Sequence, residues 1–360
     1  VSDACKKYGM EFGVYLSPWD RNSALYGTDA YNDFFVKQLT ELLTQYGKIS
    51  EVWFDGACGE GPNGKKQVYD FVRWYELIRK LQPEAVIAVM GPDVRWVGTE
   101  TGRGREMEWS VVPKDNLDQD AIAKNSQQEV LTAPVGDMMG QDLGSRKKIE
   151  KAKSLVWYPA EIDVSIRPGW FYHEEQDSKV KSSKELMDIY FTSVGMNVVL
   201  LLNLPPNKEG RLSDADVRSL RGFRQLYVTT FTDNLLAKAK VTCSLSEGKG
   251  RNVVDDNYDT SVRPKMKDGK AVFSFKLNKP VTFNVLSVQE DIRKGQRVEK
   301  FLLEVKDAKG NWKKVTEGTT VGHKRLLRFP VETAKEVRLI ISEVRAVPAI
   351  SEIGLYRLRD

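Results

Sequence analysis

The chain has 360 residues, 41% of them hydrophobic, and a formal charge of +5 from 55 basic and 50 acidic residues. That length exceeds one ordinary core and points to two domains, while the mild, scattered basic excess, with no stripe of cations and interleaved aromatics, argues against a nucleic-acid partner. No apolar run reaches the roughly 18 residues of a membrane span, and three scattered cysteines with only His173 and His323 set aside a disulfide framework, a Cys metal pair and a His-built zinc site.

The chain opens on Val1 and SDACKKYGM, which reads as the middle of a helix, without initiator methionine or signal peptide, so a preceding segment is expected. FGVYLS reads as a strand. DAYNDFFVKQLTELLTQYG has apolar residues at helical spacing, EVWFDG is a second strand, QVYDFVRWYELIRKLQP a helix closed by Pro83, and AVIAVMG a third strand. EMEWSVV, LVWYPAEIDVS and NVVLLLNL add three strands, with SSKELMDIYFTSVG a helix before the last. Strands alternating with helices imply a parallel sheet or barrel, and six strands with an abrupt start fit an α/β (β/α)8-type barrel lacking its first two units. An open doubly wound sheet is the alternative, but its glycine-rich phosphate turn is absent; GRGRE at 102–106 reads as a loop, with phosphate binding a weaker option.

After the helix in LSDADVRSLRGFRQLYVTTFTDNLL the texture changes. From about Ala237 come KAKVTCSL, KAVFSFKL, VTFNVLSVQE, VEKFLLEVKD, NWKKVTE, TVGHKRLLRFP, EVRLIISEV and ISEIGLYRL, short strands separated by turn signals, the pattern of an antiparallel β-sandwich. The expected domains are therefore residues 1–235 and 236–360.

In EVWFDGACGEGPNG an apolar strand ends on Asp55 before a glycine-rich loop. The carboxyl end of a parallel strand is where catalytic side chains gather. Turn formation or helix capping by Asp55 is the competing reading. Cleavage of a glycosidic bond needs a second carboxyl, and VRWVGTETGRGREMEWS offers Glu100, Glu106 and Glu108. Glu100 follows Trp96, and a carboxyl shielded by an indole would be raised toward the range a general acid needs. Glu106 and Glu108 stay as alternatives, since alternation along EMEWSVV would turn one of them inward.

WFDGACGEGPNGK, RWVGTETG with EMEWSVVP, WYPAEIDVSIRPGWFYH and VLLLNLPPNKEGRL together resemble the retaining α-L-fucosidases of glycoside hydrolase family 29 over most of the first 230 residues. The resemblance implies that Asp55 is the nucleophile, with Trp53 beside it. It implies that Glu100, 45 residues on, is the acid/base of the subgroup acting on α-1,3- and α-1,4-linked fucose. Arg167 and Trp170 would lie against the sugar, the guanidinium donating to hydroxyls and the indole packing the apolar face. Tyr15 resembles a sugar-contacting tyrosine, with Leu16 the other alignment. Core packing competes for Trp170 and is the first reading of Trp157; Glu161 and Asp163 would share the face of Trp157, one of them orienting Arg167. His173 reads as solvated or structural, and His323 has no assigned chemistry. The pocket histidines of the family would lie in a segment before Val1. The C-terminal sandwich resembles a discoidin-like module, in which Trp312 is either a sugar contact or turn packing. The reaction so implied is hydrolysis of fucosylated, Lewis-type oligosaccharides or glycoconjugates by double displacement, without metal or organic cofactor, by an exported enzyme, with APVGDMMGQDLGSRKK among the loops around the aglycone. A barrel that binds glycans without cutting them, and a retaining glycosidase for another sugar such as a galactoside, are the rivals.

Overall fold

The protein is described by a computed structural model over residues 1–114 and 140–359. It divides into two compact units, Val1–Gly98 with Val111–Glu161, and Thr99–Ser110 with Ile162–Asp360.

In the first unit, α1 (Ser2–Tyr8), β1 (Gly13–Tyr15), α2 (Asp29–Gln45), β2 (Glu51–Phe54), α3 (Phe71–Leu81) and β3 (Val86–Val89) follow one another. The three strands pair in parallel in the order β1-β2-β3, with Tyr15 opposite Trp53 and Trp53 opposite Ala88. Parallel neighbours need a crossover, and α2 and α3 supply it. Helix α2 buries Tyr31, Phe35, Leu39 and Leu43 at four-residue spacing, and α3, capped by the Asp70 carboxylate, buries Phe71, Trp74, Tyr75 and Ile78. These side chains meet Val52, Phe54 and Ile87 in one core, where Phe35 stacks on Trp74 at 4.0 Å between ring centroids. The opposite face of the strands, with Glu51, Trp53 and Tyr15, is left partly open.

The unit continues with β4 (Arg95–Trp96), β5 (Val111–Pro113), α4 (Arg146–Ile149), β6 (Leu155–Trp157) and the first two residues of β7 (Ala160–Ser165), the rest of which belongs to the second unit. β5 and β6 pair antiparallel, and β4 runs parallel to the first two residues of β7, with Trp96 opposite Glu161. The strand expected over EMEWSVV begins only at Val111. LVWYPAEIDVS is two strands, interrupted at Tyr158 and Pro159, the latter unable to donate to a ladder. Of the loop APVGDMMGQDLGSRKK, residues 133–139 lie outside the described residues.

In the second unit, β7 and β8 (Val199–Asn203) share a sheet, flanked by α5 (Ser183–Thr192), which starts with a Ser182/Glu185 capping box, and α6 (Asp214–Phe231), capped by Ser213. β9 (Lys240–Thr242), β10 (Leu245–Glu247), β11 (Arg263–Pro264), β12 (Ala271–Glu290), β13 (Val298–Lys306), β14 (Trp312–Gly318), β15 (Arg325–Val344) and β16 (Ile350–Tyr356) complete it. Six of these form one antiparallel sheet in the order β14-β13-β15-β12-β16, with β9 against β12. KAVFSFKL and VTFNVLSVQE, expected as separate strands, are the single β12. Its register shifts between Lys276 and Val281, which seats Pro280 where the ladder is already broken. TVGHKRLLRFP and EVRLIISEV merge likewise into β15. Helices α5 and α6 join the sheet through Met187, Phe191, Val285, Leu326 and Tyr356, with Phe231 edge-on to Tyr356 at 5.1 Å, so packing carries this unit across residue 235. Among the described residues no set of strands closes into a barrel, and no helix is long and apolar enough to cross a membrane.

Candidate active site

Alternation along β2 sends Val52 and Phe54 into the core and leaves Glu51 and Trp53 on the open face. Trp53 lies against Tyr15, its register partner on β1, with centroids 5.2 Å apart and planes tilted by 35°. Asp55, half-buried, follows the strand directly. Its Oδ2 accepts the Tyr15 hydroxyl at 2.9 Å, and its Oδ1 accepts the Ala57 amide at 2.8 Å. The turn-forming reading thus holds for one oxygen, while the other faces the aromatic pair. On the same face, Glu161 accepts the Trp53 indole N–H at 2.6 Å. Burial raises the Glu51 carboxyl above its ordinary value, and a hydrogen bond with Glu161 draws it partly back.

The loop after Asp55 is held by polar contacts that nothing in the sequence singled out. The Tyr26 and Tyr69 hydroxyls lie 3.0 Å apart, Tyr26 donates to the Gly59 carbonyl, Tyr69 to that of Ala57, and the Trp19 indole to that of Glu60. Burial pushes both phenols far above their ordinary range, so they stay neutral donors. A Cβ on Gly59 would lie 2.1 Å from the Trp19 ring, and one on Gly61 2.5 Å from Tyr26, which is why this loop is built of glycine.

Glu100, Arg167 and Trp170 belong to the second unit. Glu100 is exposed, at the start of a loop docked on α5: the Gly104 amide donates to the Thr192 carbonyl, and the Thr192 hydroxyl to the Gly102 carbonyl, each at 2.7 Å. The glycines of GRGRE therefore serve close packing against Ile189 and Val198. Glu108 is buried and paired with Arg105 at 3.1 Å, and the Glu106 carbonyl accepts from Arg325. Both glutamates precede β5, so the alternation that would have turned one inward does not operate.

Arg167 is 1% exposed, and its three nitrogens are engaged by protein. Nε and Nη2 bind Asp216, Nη2 also binds Asp177 at 2.6 Å and Ser213 at 2.7 Å, and Nη1 binds the His173 carbonyl at 3.1 Å. Burial opposes its charge, yet the two carboxylates outweigh burial and raise the guanidinium above its ordinary value. With Tyr172 under it at 4.7 Å, Arg167 ties down the loop that presents Trp170 and the 78% exposed Phe171. Its carboxylate partners come from Asp177 and Asp216. Pro159 separates β6 from β7, so Trp157 and Glu161 are not on one strand, and Trp157 is 40% exposed instead of packed in a core. His173 is exposed, and His323 lies edge-on to Tyr258 at 5.0 Å. Trp312 lies under Arg338 at 4.2 Å, the packing alternative.

The sequence profile of alpha-L-fucosidases matches residues 1–226. Alpha-L-fucosidase 1 of Arabidopsis thaliana is 41% identical over 366 residues, covering 99% of this chain and 68% of that protein. A crystal structure from Bacteroides ovatus is 48% identical with a TM-score of 0.82, covering all of this chain and 57% of that one. A GH29 fucosidase from Ruminococcus gnavus, solved in complex with fucose, is 31% identical with a TM-score of 0.82, covering all of this chain and 74% of that one. This chain thus spans somewhat more than half the length of the Bacteroides ovatus protein and about two thirds of the Arabidopsis one. By sequence and by structure alike, the chain belongs to the alpha-L-fucosidase family of glycoside hydrolases.

Proposed function

We propose that the protein is a retaining α-L-fucosidase that removes α-1,3- and α-1,4-linked fucose from Lewis-type glycans. The observation that carries the reading is the Asp55 carboxylate at the carboxyl end of β2, its Oδ2 bound by Tyr15 at 2.9 Å and Trp53 alongside. The fucose complex of the Ruminococcus gnavus relative supports the choice of sugar. In the first step Glu100 gives its proton to the glycosidic oxygen as an Asp55 oxygen attacks the anomeric carbon; the C–O bond to the aglycone breaks and a fucosyl ester forms. In the second, Glu100 takes a proton from water, the water oxygen attacks the same carbon, and the ester bond breaks to return Asp55 and release fucose with its configuration retained. Such a pair of carboxyls works at a separation of about 5 to 5.5 Å in the bound complex. The 45-residue spacing from Asp55 to Glu100 supports the α-1,3/4 subgroup. Trp170, 38% exposed, packs its indole against the apolar face of the sugar.

The accompanying architecture is a (β/α)8-type barrel over residues 1–235 and a discoidin-like sandwich over 236–360, supported by the parallel β1-β2-β3 sheet with its crossover helices and by the long antiparallel sheet. Export to the glycan is part of the same reading. The test follows fucose release by the full-length protein from a Lewis-type trisaccharide and from α-1,2-fucosylated lactose, with the anomer read by proton NMR. Release of α-fucose from the branched sugar alone is expected. Release from both moves the enzyme to a broader specificity, β-fucose overturns retention, and binding without release leaves a glycan-binding protein.

A further inference from the structure

Asp55 is not positioned by its own strand alone. Its Oδ2 takes the hydroxyl of Tyr15, a residue 55% exposed, whose ring would sample several rotamers if nothing held it. That ring lies against Trp53, and the indole N–H of Trp53 ends on Glu161 at 2.6 Å. Glu161 is 2% exposed, and its backbone is pinned, Trp96 being its register partner and the Val97 amide donating to its carbonyl at 2.8 Å. The path from a fixed strand to the Asp55 carboxylate therefore runs through one carboxyl, one indole and one phenol, all in the first unit.

We propose that Glu161 is a positioning residue for the hydrolysis: it holds the Trp53 indole by its N–H, the indole fixes the Tyr15 ring, and the Tyr15 hydroxyl aims Asp55 Oδ2. The inference rests on Asp55 being the nucleophile. Glu161 does not meet the sugar in this scheme and takes no part in proton transfer to it. The second group on Glu161 is the Glu51 carboxyl, two residues before Trp53 on the same face of β2, so the two carboxyls and the indole form one hydrogen-bonded set. A misplacement of about 1 Å at a reacting group can lower the rate of the chemical step by about 100-fold. Glu161 thus acts on kcat more than on KM.

The test compares five variants of the full-length protein on a Lewis-type trisaccharide, with kcat and KM determined separately and folding checked by circular dichroism. Glu161→Gln keeps a carbonyl oxygen for the indole and an amide for Glu51, and is expected to retain kcat within about threefold. Glu161→Leu removes the acceptor and is expected to lower kcat by about 10- to 100-fold with KM nearly unchanged and the Trp53 emission shifted. Trp53→Phe removes the donor without touching Glu161, and serves if the leucine variant does not fold; a comparable loss of kcat is expected, with no further loss in the double variant. If Trp53→Phe keeps kcat, or the glutamine variant is as impaired as the leucine one, the positioning role is overturned. Asp55→Asn separates this from the reading beneath it: that variant losing activity while Glu161 and Trp53 variants keep theirs removes only the positioning role, whereas an active Asp55→Asn enzyme removes both.

Discussion

The hydroxyl of Tyr15, on β1, donates to Oδ2 of Asp55, at the end of β2, across 40 residues of sequence and 2.9 Å of space. A hydrogen bond to a charged acceptor contributes about 1.5–3 kcal/mol, or roughly 10- to 100-fold in rate if it is made to the reacting carboxylate. Tyr15→Phe is expected to lower kcat for fucose release by that factor. Because Tyr15 is exposed, its melting free energy should stay within about 0.5 kcal/mol of the parent, which scanning calorimetry checks.

Arg167 and Asp216 are both fully buried and bonded to each other at 3.0 Å. Removing one partner of such a pair leaves the other charge uncompensated, at a cost of about 3–5 kcal/mol. Asp216→Ala is expected to lose stability on that scale in a urea titration and to loosen the loop bearing Trp170. A variant as stable as the parent would show that Asp177 and Ser213 suffice to hold the guanidinium.

Trp170 and Phe171 stand out from a loop whose backbone is tied down by Arg167 and by Asn203, the latter donating to the Trp170 carbonyl at 3.0 Å. Neither ring carries the core. Trp170→Ala is expected to raise KM by roughly 3- to 10-fold, the worth of an aromatic contact of about 0.5–1.5 kcal/mol, with the melting temperature nearly unchanged. Should Trp170→Ala instead lower the melting temperature and spare KM, the indole is a packing residue.

Glu290, fully buried in the antiparallel sheet, is raised to about 7 by burial, against the opposing pull of the Gly322, Arg297 and Val298 amides. Its folded-state value exceeds its unfolded one, so the stability it contributes is fully present below the unfolded value near 4.5 and is lost as pH rises through about 7. The loss amounts to about 3 kcal/mol at 1.36 kcal/mol per unit. Unfolding free energy should fall with pH across that window, and Glu290→Gln should flatten the slope. The same variant should be less stable by about 1–3 kcal/mol, because its amide would meet the Gly322 N–H where a carboxylate oxygen accepted it.

Much of the molecule was legible in its residues because the signals are local. Four-residue spacing in α2 and α3 and alternation in β2 fix which faces are buried, and Asp55 follows from a strand ending in D-G. Trp53, beside Asp55, came with the family resemblance and not with the strand pattern. What alternation could not foresee was where it stops. Pro159 detaches Glu161 from Trp157, and β5 begins too late to orient Glu106 or Glu108. Pro280, between two expected strands, and Pro330, at the end of another, lie instead at bulges of two 20-residue strands.

Pairings between distant residues were decided by tertiary structure alone. Nothing near Arg167 in the chain marks Asp216, 49 positions on, as its buried partner, and nothing near Trp53 marks Glu161, 108 positions on, as the acceptor of its indole. Spacing along a helix or strand determines which side of an element a residue faces. Which residue it meets there depends on how elements remote in sequence are brought side by side, and a buried donor or charge then holds the partner it finds because being left without one costs more than almost any contact gains.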